Sequence, residues 1–369
     1  MSRLLVTGGA GFIGANFVHY WLRHYPHDLM VVLDALTYAG NRASLAPVER
    51  KPNFRFIHGD IRDQTLVERV LKEEGIDIIV HFAAESHVDR SILGPDAFIE
   101  TNVLGTHSLL KASKKTWIDS SHVPFHRFHH VSSDEVYGTL APDAPPFCET
   151  TPYAPNSPYA ASKAASDHLV RAYYHTYGLQ VTTSNCSNNY GPFQFPEKLI
   201  PLMLINALQG KPLPVYGDGH HVRDWLYVED HCRGIEQVLR QGRVGETYNI
   251  GGRCEKTNLE VVQTLCSLLD EMRPRLDPRS SDLVSYVSLL TFIKDRPGHD
   301  RRYAIDAGKA MTELGYRPQE SFKSGLRKTL AWYLENESWW RSLLDARYEG
   351  WIEAHYGAKT TNATPSLLS

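Results

Sequence analysis

The chain has 369 residues, 42% of them hydrophobic, and a formal net charge of −3, an ordinary globular composition with room for one large domain or two closely joined ones. The near-neutral balance carries no basic stripe of the kind that follows a nucleic-acid backbone, which excludes nucleic acid as an expected partner. No window approaches the ~18 continuous apolar residues of a membrane span, and the opening RLLVTG lacks the parts of a signal peptide, so a cytoplasmic protein is expected.

Along the first half, short β-branched runs alternate with longer helical patterns. LLVTG, VVLDAL, FRFIHGD, IIVHFAA, FHHVSS and VTTSN read as strands, each followed by enough chain for a crossover helix. That rhythm predicts a parallel sheet with helices on both faces, in a cofactor domain over residues 1–190 that takes a strand and a helix back from later segments. TGGAGFIG follows the first strand, with Gly9, Gly11 and Gly14 in G-x-G-x-x-G spacing and Gly8 giving the related G-x-x-G-x-x-G. Such glycines let the backbone reach a pyrophosphate at a helix N-terminus, where amides and the helix dipole favour an anion. Asp34, twenty residues past Gly14, is spaced to bind ribose hydroxyls, which selects NAD over its 2′-phosphorylated relative. The expected fold is therefore a Rossmann-like, doubly wound α/β sheet. Its ligand loops should follow LLV, LDAL, HFAA, HHVSS and TTSN.

At the end of the fifth predicted strand, VSSDEVYG sets Asp134 and Glu135 directly after Ser133. One helix later, Tyr159 and Lys163 stand four apart on one helical face. A cationic lysine, with an oxidised nicotinamide, lowers a phenol's pKa from about 10 so that it takes a proton from an alcohol. Alcohol oxidation needs the tyrosine, the lysine and a hydroxyl such as Ser133. The two acids are surplus to it: either they cap a solvated turn, or they serve a second reaction in which different environments make one an acid and the other a base.

Beyond about residue 190, proline-rich turns (YGPFQFPEKLIP, GKPLPVYGDG, DRPGHD) separate helical segments such as Asn258–Met272. A smaller α+β lobe is expected over residues 191–356, with short strands LPVYG and TYNIG, a last long helix near Ser321–Asn336, and a flexible tail over 357–369. Asn188, Lys198, Arg223, Asn258, Arg296 and His299 form a basic, amide-rich set around its turns. They read either as ordinary surface polar groups or as a site for a phosphate-bearing substrate, for which arginine's fork is suited. The five cysteines form no C-x-x-C pair, which fits a reducing compartment. The eighteen histidines show no helical H-x-x-x-H with a nearby carboxylate, so no metal is expected.

Taken together, TGGAGFIG, LDALTYAGN, HFAAESHVDRSI, VSSDEVYG, SPYAASKAASDHLV, CSNNYGPFQFPEKLIP, VRDWLYVEDH, ETYNIGG and DRPGHDRRYAID resemble the dTDP-glucose 4,6-dehydratases of the extended short-chain dehydrogenase/reductase family. The resemblance implies an NAD-dependent hydro-lyase. In that family the tyrosine matching Tyr159 takes the proton of the sugar 4-hydroxyl while NAD takes the C4 hydride. The acid matching Glu135 removes the C5 proton, the one matching Asp134 protonates the departing 6-hydroxyl, and the hydride returns to C6. The family further implies an NAD site lined by Gly8, Gly11, Phe12, Ile13, Gly14, Asp34, Ala35, Leu36, Thr37, Asp60, Ile61, Ala83, Ala84, Ser86, Thr101, Tyr159, Lys163 and Asn189. To the nucleotide sugar it assigns Ser86, Ser133, Asn188, Glu197, Lys198, Leu199, Pro214, Tyr216, Arg223, Asn258, Arg296, His299 and Tyr303. It also implies a homodimer paired through helices. One position departs, since the family usually has threonine where this chain has Ser133. Three rival readings remain: a 4-epimerase of the same fold, which needs the tyrosine but no acid pair; a UDP-glucose 4,6-dehydratase, with the same chemistry on another nucleotide; and a dinucleotide-binding regulator, which should lack Tyr159 or Lys163.

Overall fold

The computed structural model describes residues 1–120, 123, 125–276, 282–295, 299–345, 348 and 350. In chain order the strands are β1 (Arg3–Thr7), β2 (Leu29–Asp34), β3 (Phe54–His58), β4 (Ile78–His81), β5 (Arg127–Ser133), β6 (Val181–Cys186), β7 (Asn188–Tyr190), β8 (Leu213–Tyr216), β9 (Val222–Tyr227), β10 (Thr247–Ile250), β11 (Glu255–Thr257) and β12 (Leu290–Ile293). Strands β2, β4, β5 and β6 are buried along their whole length, as strands covered on both faces must be. Seven strands form one sheet in the order β10-β6-β5-β4-β1-β2-β3, with every neighbouring pair parallel. The period of two sorts the side chains. Leu4, Val6, Met30, Val32, Ile78 and Val80 face helices Phe12–His24 and Val228–Gln241, while Leu5, Val31, Leu33 and Ile79 face Gln64–Glu73, Thr106–Lys114 and Pro158–Tyr177.

The helix bearing Tyr159 and Lys163 is fixed at both ends. Ser157 accepts a hydrogen bond from Ala160 N, Pro158 occupies the first turn, and Gly178 closes the helix at φ 70°. Strand order reverses between β1 and β4, and the crevice at that switch lies at the strand ends that carry Thr7, Asp34 and Ser133.

The second lobe has a core of its own, including Ile200, Met203, Val261, Leu265, Leu326 and Trp340. Over it lie the three-stranded sheet β11-β9-β7 and the pair β12-β8. Helix Asn258–Met272 begins where expected because Thr257 and Glu260 form a reciprocal capping box.

Two sequence expectations change. Between β2 and β3 there is no crossover helix but a short 3₁₀ turn, Arg42–Leu45, in a segment that contains Gly40, Pro47 and Pro52, residues that interrupt a helix. TYNIG is not a strand of the smaller lobe: β10 pairs with β6 at the edge of the main sheet, brought there by the preceding helix Val228–Gln241, which packs on that sheet. Arg296 and the tail 357–369 lie outside the described residues.

Candidate active site

The ends of β1, β2, β4, β5 and β6 open into a cleft of about 340 Å³. Its cofactor side is built largely of backbone. Gly8 sits at φ +69°, where a Cβ would come within 2.6 Å of Ala83 N, and a Cβ on Gly14 would lie 2.3 Å from the Gly8 carbonyl. Gly11 caps helix Phe12–His24 with no side chain on its first amides, which leaves them for an anion. The Asp34 carboxylate accepts Ala10 N and Leu36 N, both at 2.8 Å, and so is oriented at the rim with lone pairs to spare. Gly8, Gly11, Phe12, Ile13, Gly14, Asp34, Ala35, Thr37, Asp60, Ile61, Ala83, Ala84, Ser86 and Thr101 all line the cleft. Leu36 does not; at φ 50° it folds back against the sheet core. Asn189 lines the cleft, but its side chain is engaged with His231 Nδ1 at 3.0 Å and Ser187 O at 2.9 Å. This glycine cradle, bare helix end and rim carboxylate fit a dinucleotide.

Ser133, Asp134, Glu135, Tyr159 and Lys163 meet in the same cleft. Ser133 closes β5 and accepts Glu135 N at 3.2 Å, which starts the tight turn Asp134–Tyr137. The turn separates the two acids. Asp134 is 2% exposed, and its Oδ2 is buried without a partner, while Glu135 is only half-buried. Burial, then the charges of Glu135 and Asp224, push the Asp134 carboxyl well above the usual range, with Arg223 opposing. A buried carboxyl with an unpaired oxygen is a proton donor awaiting a group to donate to. Asn188 Oδ1 is likewise buried and unpaired.

The expected lowering of the Tyr159 phenol is not met by the chain alone. Burial and the Glu135 charge push it well above 10, and only a hydrogen bond with Ser133 pulls it back. Lys163 donates to Val131 O at 2.9 Å, and burial lowers its own pKa. An oxidised nicotinamide, when bound, would add a positive charge beside the phenol and favour its ionised form.

The substrate-side residues divide into two groups. Asn188, Glu197 and Lys198 join the cleft wall with Ser86. Glu197 is only 3% exposed, its oxygens taken by Tyr38 OH at 2.9 Å and Arg90 Nε at 3.0 Å, so it braces the wall. Leu199 begins helix Leu199–Leu208 and packs on the lobe core. Pro214, Tyr216, Arg223, Asn258, His299 and Tyr303 do not line the cleft, though Arg223 acts on Asp134 and Glu135 on Tyr303. The Arg223 guanidinium lies 4.3 Å from the Tyr303 ring centre and donates to Asp300 O at 2.9 Å. Lys256, two residues before Asn258, pairs with Arg223 across β11 and β9. Tyr216 reaches Asp89 at 3.5 Å and follows Pro214 on β8. The rings of His221 and His299 stack at 3.7 Å and 12°, each bonding one oxygen of Asp295, at 3.2 and 2.7 Å. Among the described residues this triad is the cluster with metal-ligand chemistry, its ligand atoms all within 4.8 Å of one another, and both rings are engaged with the one carboxylate. Glu85, Cys186 and Gln194 also line the cleft. Each stands within or beside a motif, with nothing in its spacing to mark it.

The family profile of the GDP-mannose 4,6 dehydratases matches residues 5–329. A dTDP-glucose 4,6-dehydratase of Xanthomonas campestris pv. campestris (strain B100) is 57% identical over 351 residues, 94% of this chain and 97% of its own. The chain belongs to the dTDP-glucose 4,6-dehydratase family. A dTDP-glucose 4,6-dehydratase structure, DesIV from Streptomyces venezuelae with NAD bound, superposes with a TM-score of 0.83 at 53% identity, covering 92% of this chain and 99% of that one. A UDP-glucose 4-epimerase from Thermus thermophilus, also with NAD, reaches 0.76 at 29% identity, covering 90% and 99%. The fold is thus shared by dehydratase and epimerase, while the higher identity lies with the dehydratases.

Proposed function

We infer that the chain is an NAD-dependent dTDP-glucose 4,6-dehydratase, converting dTDP-glucose to dTDP-4-dehydro-6-deoxy-glucose and water. The observation that carries this reading is the acid pair: Asp134, buried with an unpaired oxygen, and Glu135, half-buried, line one cleft with Tyr159. An epimerase has no use for them.

NAD, when bound, supplies the hydride acceptor for C4 and returns that hydride to C6. The chain moves the protons. Tyr159, supported by Lys163 and hydrogen-bonded with Ser133, takes the proton of the 4-hydroxyl. The resulting ketone acidifies the C5 hydrogen, which Glu135 removes. Asp134, kept protonated by burial, gives its proton to the departing 6-hydroxyl, and water leaves. Glu135 then returns a proton to C5. In this reading residues 1–190 with the later β10 and its helix hold the cofactor, and residues 191–356 hold the nucleotide sugar. Asn188 and Lys198 from the cleft wall and Arg223, Asn258 and His299 beside it close on the diphosphate and base, with Arg223 on the phosphates.

The homodimer belongs to the same proposal. Ile92, Leu93, Ile99 and Leu104 are 42–75% exposed on the helical segments Val88–Leu93 and Ile99–Gly105, apolar side chains that a second copy would cover. A cytoplasmic location is supported by five free cysteines, and no helix among the described residues is long and apolar enough to cross a membrane.

The test is to offer dTDP-, UDP- and GDP-hexoses and identify the products by mass and NMR. A 4-keto-6-deoxy product from dTDP-glucose, without net NADH, is the expected result. A C4 epimer, or stoichiometric NADH, refutes the reading. Uracil lacks only the 5-methyl group of thymine, worth about 1–3 kcal/mol of discrimination, so slower turnover of UDP-glucose is expected.

A further inference from the structure

Behind the catalytic pair, helix Pro158–Tyr177 buries a carboxylate that no step above uses. Asp167 lies one turn past Lys163 and is 6% exposed. Its Oδ1 accepts from His130 Nε2 at 3.0 Å, and its Oδ2 from Ser132 Oγ at 2.9 Å and Tyr153 OH at 3.0 Å. His130 and Ser132 belong to β5, the strand that ends in Ser133 and delivers the acid pair.

The three donors favour the ionised form of Asp167, but burying its charge remains costly unless a cation is nearby. The histidine is not that cation. Burial and the Lys163 charge hold His130 well below its ordinary pKa, and its Nδ1 is buried without a partner, as the bare nitrogen of a neutral ring whose Nε2–H donates to Asp167. The ring behind it is neutral as well: His81 is buried between Thr7 Oγ1 at 2.7 Å and Thr106 Oγ1 at 2.9 Å. The titratable groups facing Asp167 are Lys163 and His168 on its own helix, His130 on β5, Tyr153 from the preceding loop and Tyr137 from the turn after β5, and Cys186 on β6 also acts on Lys163.

We propose that Asp167 is a positioning residue for the oxidation step: anchored by His130, Ser132 and Tyr153, it keeps the Lys163 ammonium charged and aligned along Val131, so that Lys163 can support the Tyr159 phenolate. The inference rests on the reading of Tyr159 and Lys163 as the alcohol-oxidising pair. Burial lowers the Lys163 pKa and the Asp167 charge raises it. Burial also lifts the Asp167 carboxyl, to about 6, so the support is present above that pH and lost as pH falls through it. Without the carboxylate, Lys163 would lose its proton at lower pH and the Tyr159 phenol would ionise only at higher pH.

Asp167→Asn tests this on the purified enzyme with its bound NAD. The pH window of kcat should narrow from both sides, with kcat at its optimum down roughly 10–100-fold, less than the about 10²–10⁴-fold for an acid or base itself. The KM for dTDP-glucose and the NAD content should hold, the isotope effect with C4-deuterated substrate should rise, and Asp167→Glu should restore much of the rate. A pH profile superimposable on the parent's, or NAD content falling in step with kcat, overturns the proposal. Should Asp167→Asn not fold, Ser132→Ala and Tyr153→Phe each withdraw one donor from a retained carboxylate. The acid limb of kcat should then move to higher pH, and an unmoved limb in both overturns the proposal. The parent assay separates the two readings: a parent that makes no 4-keto-6-deoxy product refutes the function, whereas an active parent with an unshifted variant refutes only the role of Asp167.

Discussion

Within the first 34 residues the cofactor side of the cleft already has Gly8, Gly11, Gly14 and Asp34, all placed by one strand-helix-strand unit. The proposed substrate side draws Asn188, Lys198, Arg223, Asn258, His299 and Tyr303 from separate segments spread over more than a hundred residues. The first region works through backbone approach: a Cβ on Gly14 has nowhere to go. The second works through side-chain polar groups that currently satisfy one another, Arg223 on Asp300 O and the two histidines on Asp295. A site made of backbone is present before its ligand arrives. One made of paired side chains must exchange those partners for the ligand, and tolerates change by degrees.

Substitution at Gly14 should break this contrast if it is wrong. Gly14→Ala puts a methyl 2.3 Å from the Gly8 carbonyl, and the purified variant should carry no NAD and show no turnover; NAD content near that of the parent would mean the cradle does not depend on the missing side chain. Next in size are the acids, where losing one typically costs about 10²–10⁴-fold. Glu135→Gln should suppress exchange of solvent deuterium into C5, and Asp134→Asn should slow water loss more than C4 oxidation. Unchanged elimination in both would reduce the pair to a turn. On the substrate side, Arg223→Ala should raise KM by the equivalent of about 2–5 kcal/mol with NAD content intact. An unchanged KM would leave Arg223 as a brace for Tyr303.

How much of this is legible in the sequence follows the same division. The glycine spacing and Asp34 are local, and the buried strands β2 and β4 appear as short, mainly apolar runs, LMVVLD and IIVH, so the cofactor side can be read directly. Tyr159 and Lys163 are legible because a helix converts a spacing of four into one face. The environment is not: nothing in the spacing shows that burial and Glu135 raise the phenol instead of Lys163 lowering it. TYNIG is misplaced because four residues carry no mark of which sheet they join, and the β2–β3 crossover helix is expected from length alone, against the signal of Pro47 and Pro52. Asp167 is within reach, being one turn past Lys163, but its three donors come from β5 and the Tyr153 loop, contacts that only folding makes.

The acid pair also sharpens the comparison through stability. Burial raises the Asp134 carboxyl, so the unfolded chain, with a carboxyl near 3.9, ionises first as pH rises. Asp134 therefore costs no stability below that value and progressively more as pH climbs toward its folded pKa. Asp134→Asn removes this dependence. The difference in Tm between variant and parent should move in the variant's favour from about pH 5 to about pH 8, while activity is lost. A difference independent of pH would mean Asp134 is ionised in the folded chain.

The smallest effect is expected at Ser133, where the family resemblance leads to an expectation of threonine. The hydroxyl accepts Glu135 N at 3.2 Å, lies 3.4 Å from Asp134 Oδ1 and bonds with Tyr159. Threonine keeps that oxygen and adds a methyl at the end of a strand, where β-branched residues are at home. Ser133 is 9% exposed and lines the cleft, so the methyl has the cavity side to occupy. Ser133→Thr should thus change kcat by less than about tenfold, under about 1.4 kcal/mol, whereas Ser133→Ala, which removes the oxygen that all three groups share, should fall well below it. Equal losses in the two variants would mean that shape at this position matters more than the hydroxyl, and that the oxidation half of the cleft is more tightly fitted around Tyr159 than its hydrogen bonds alone require.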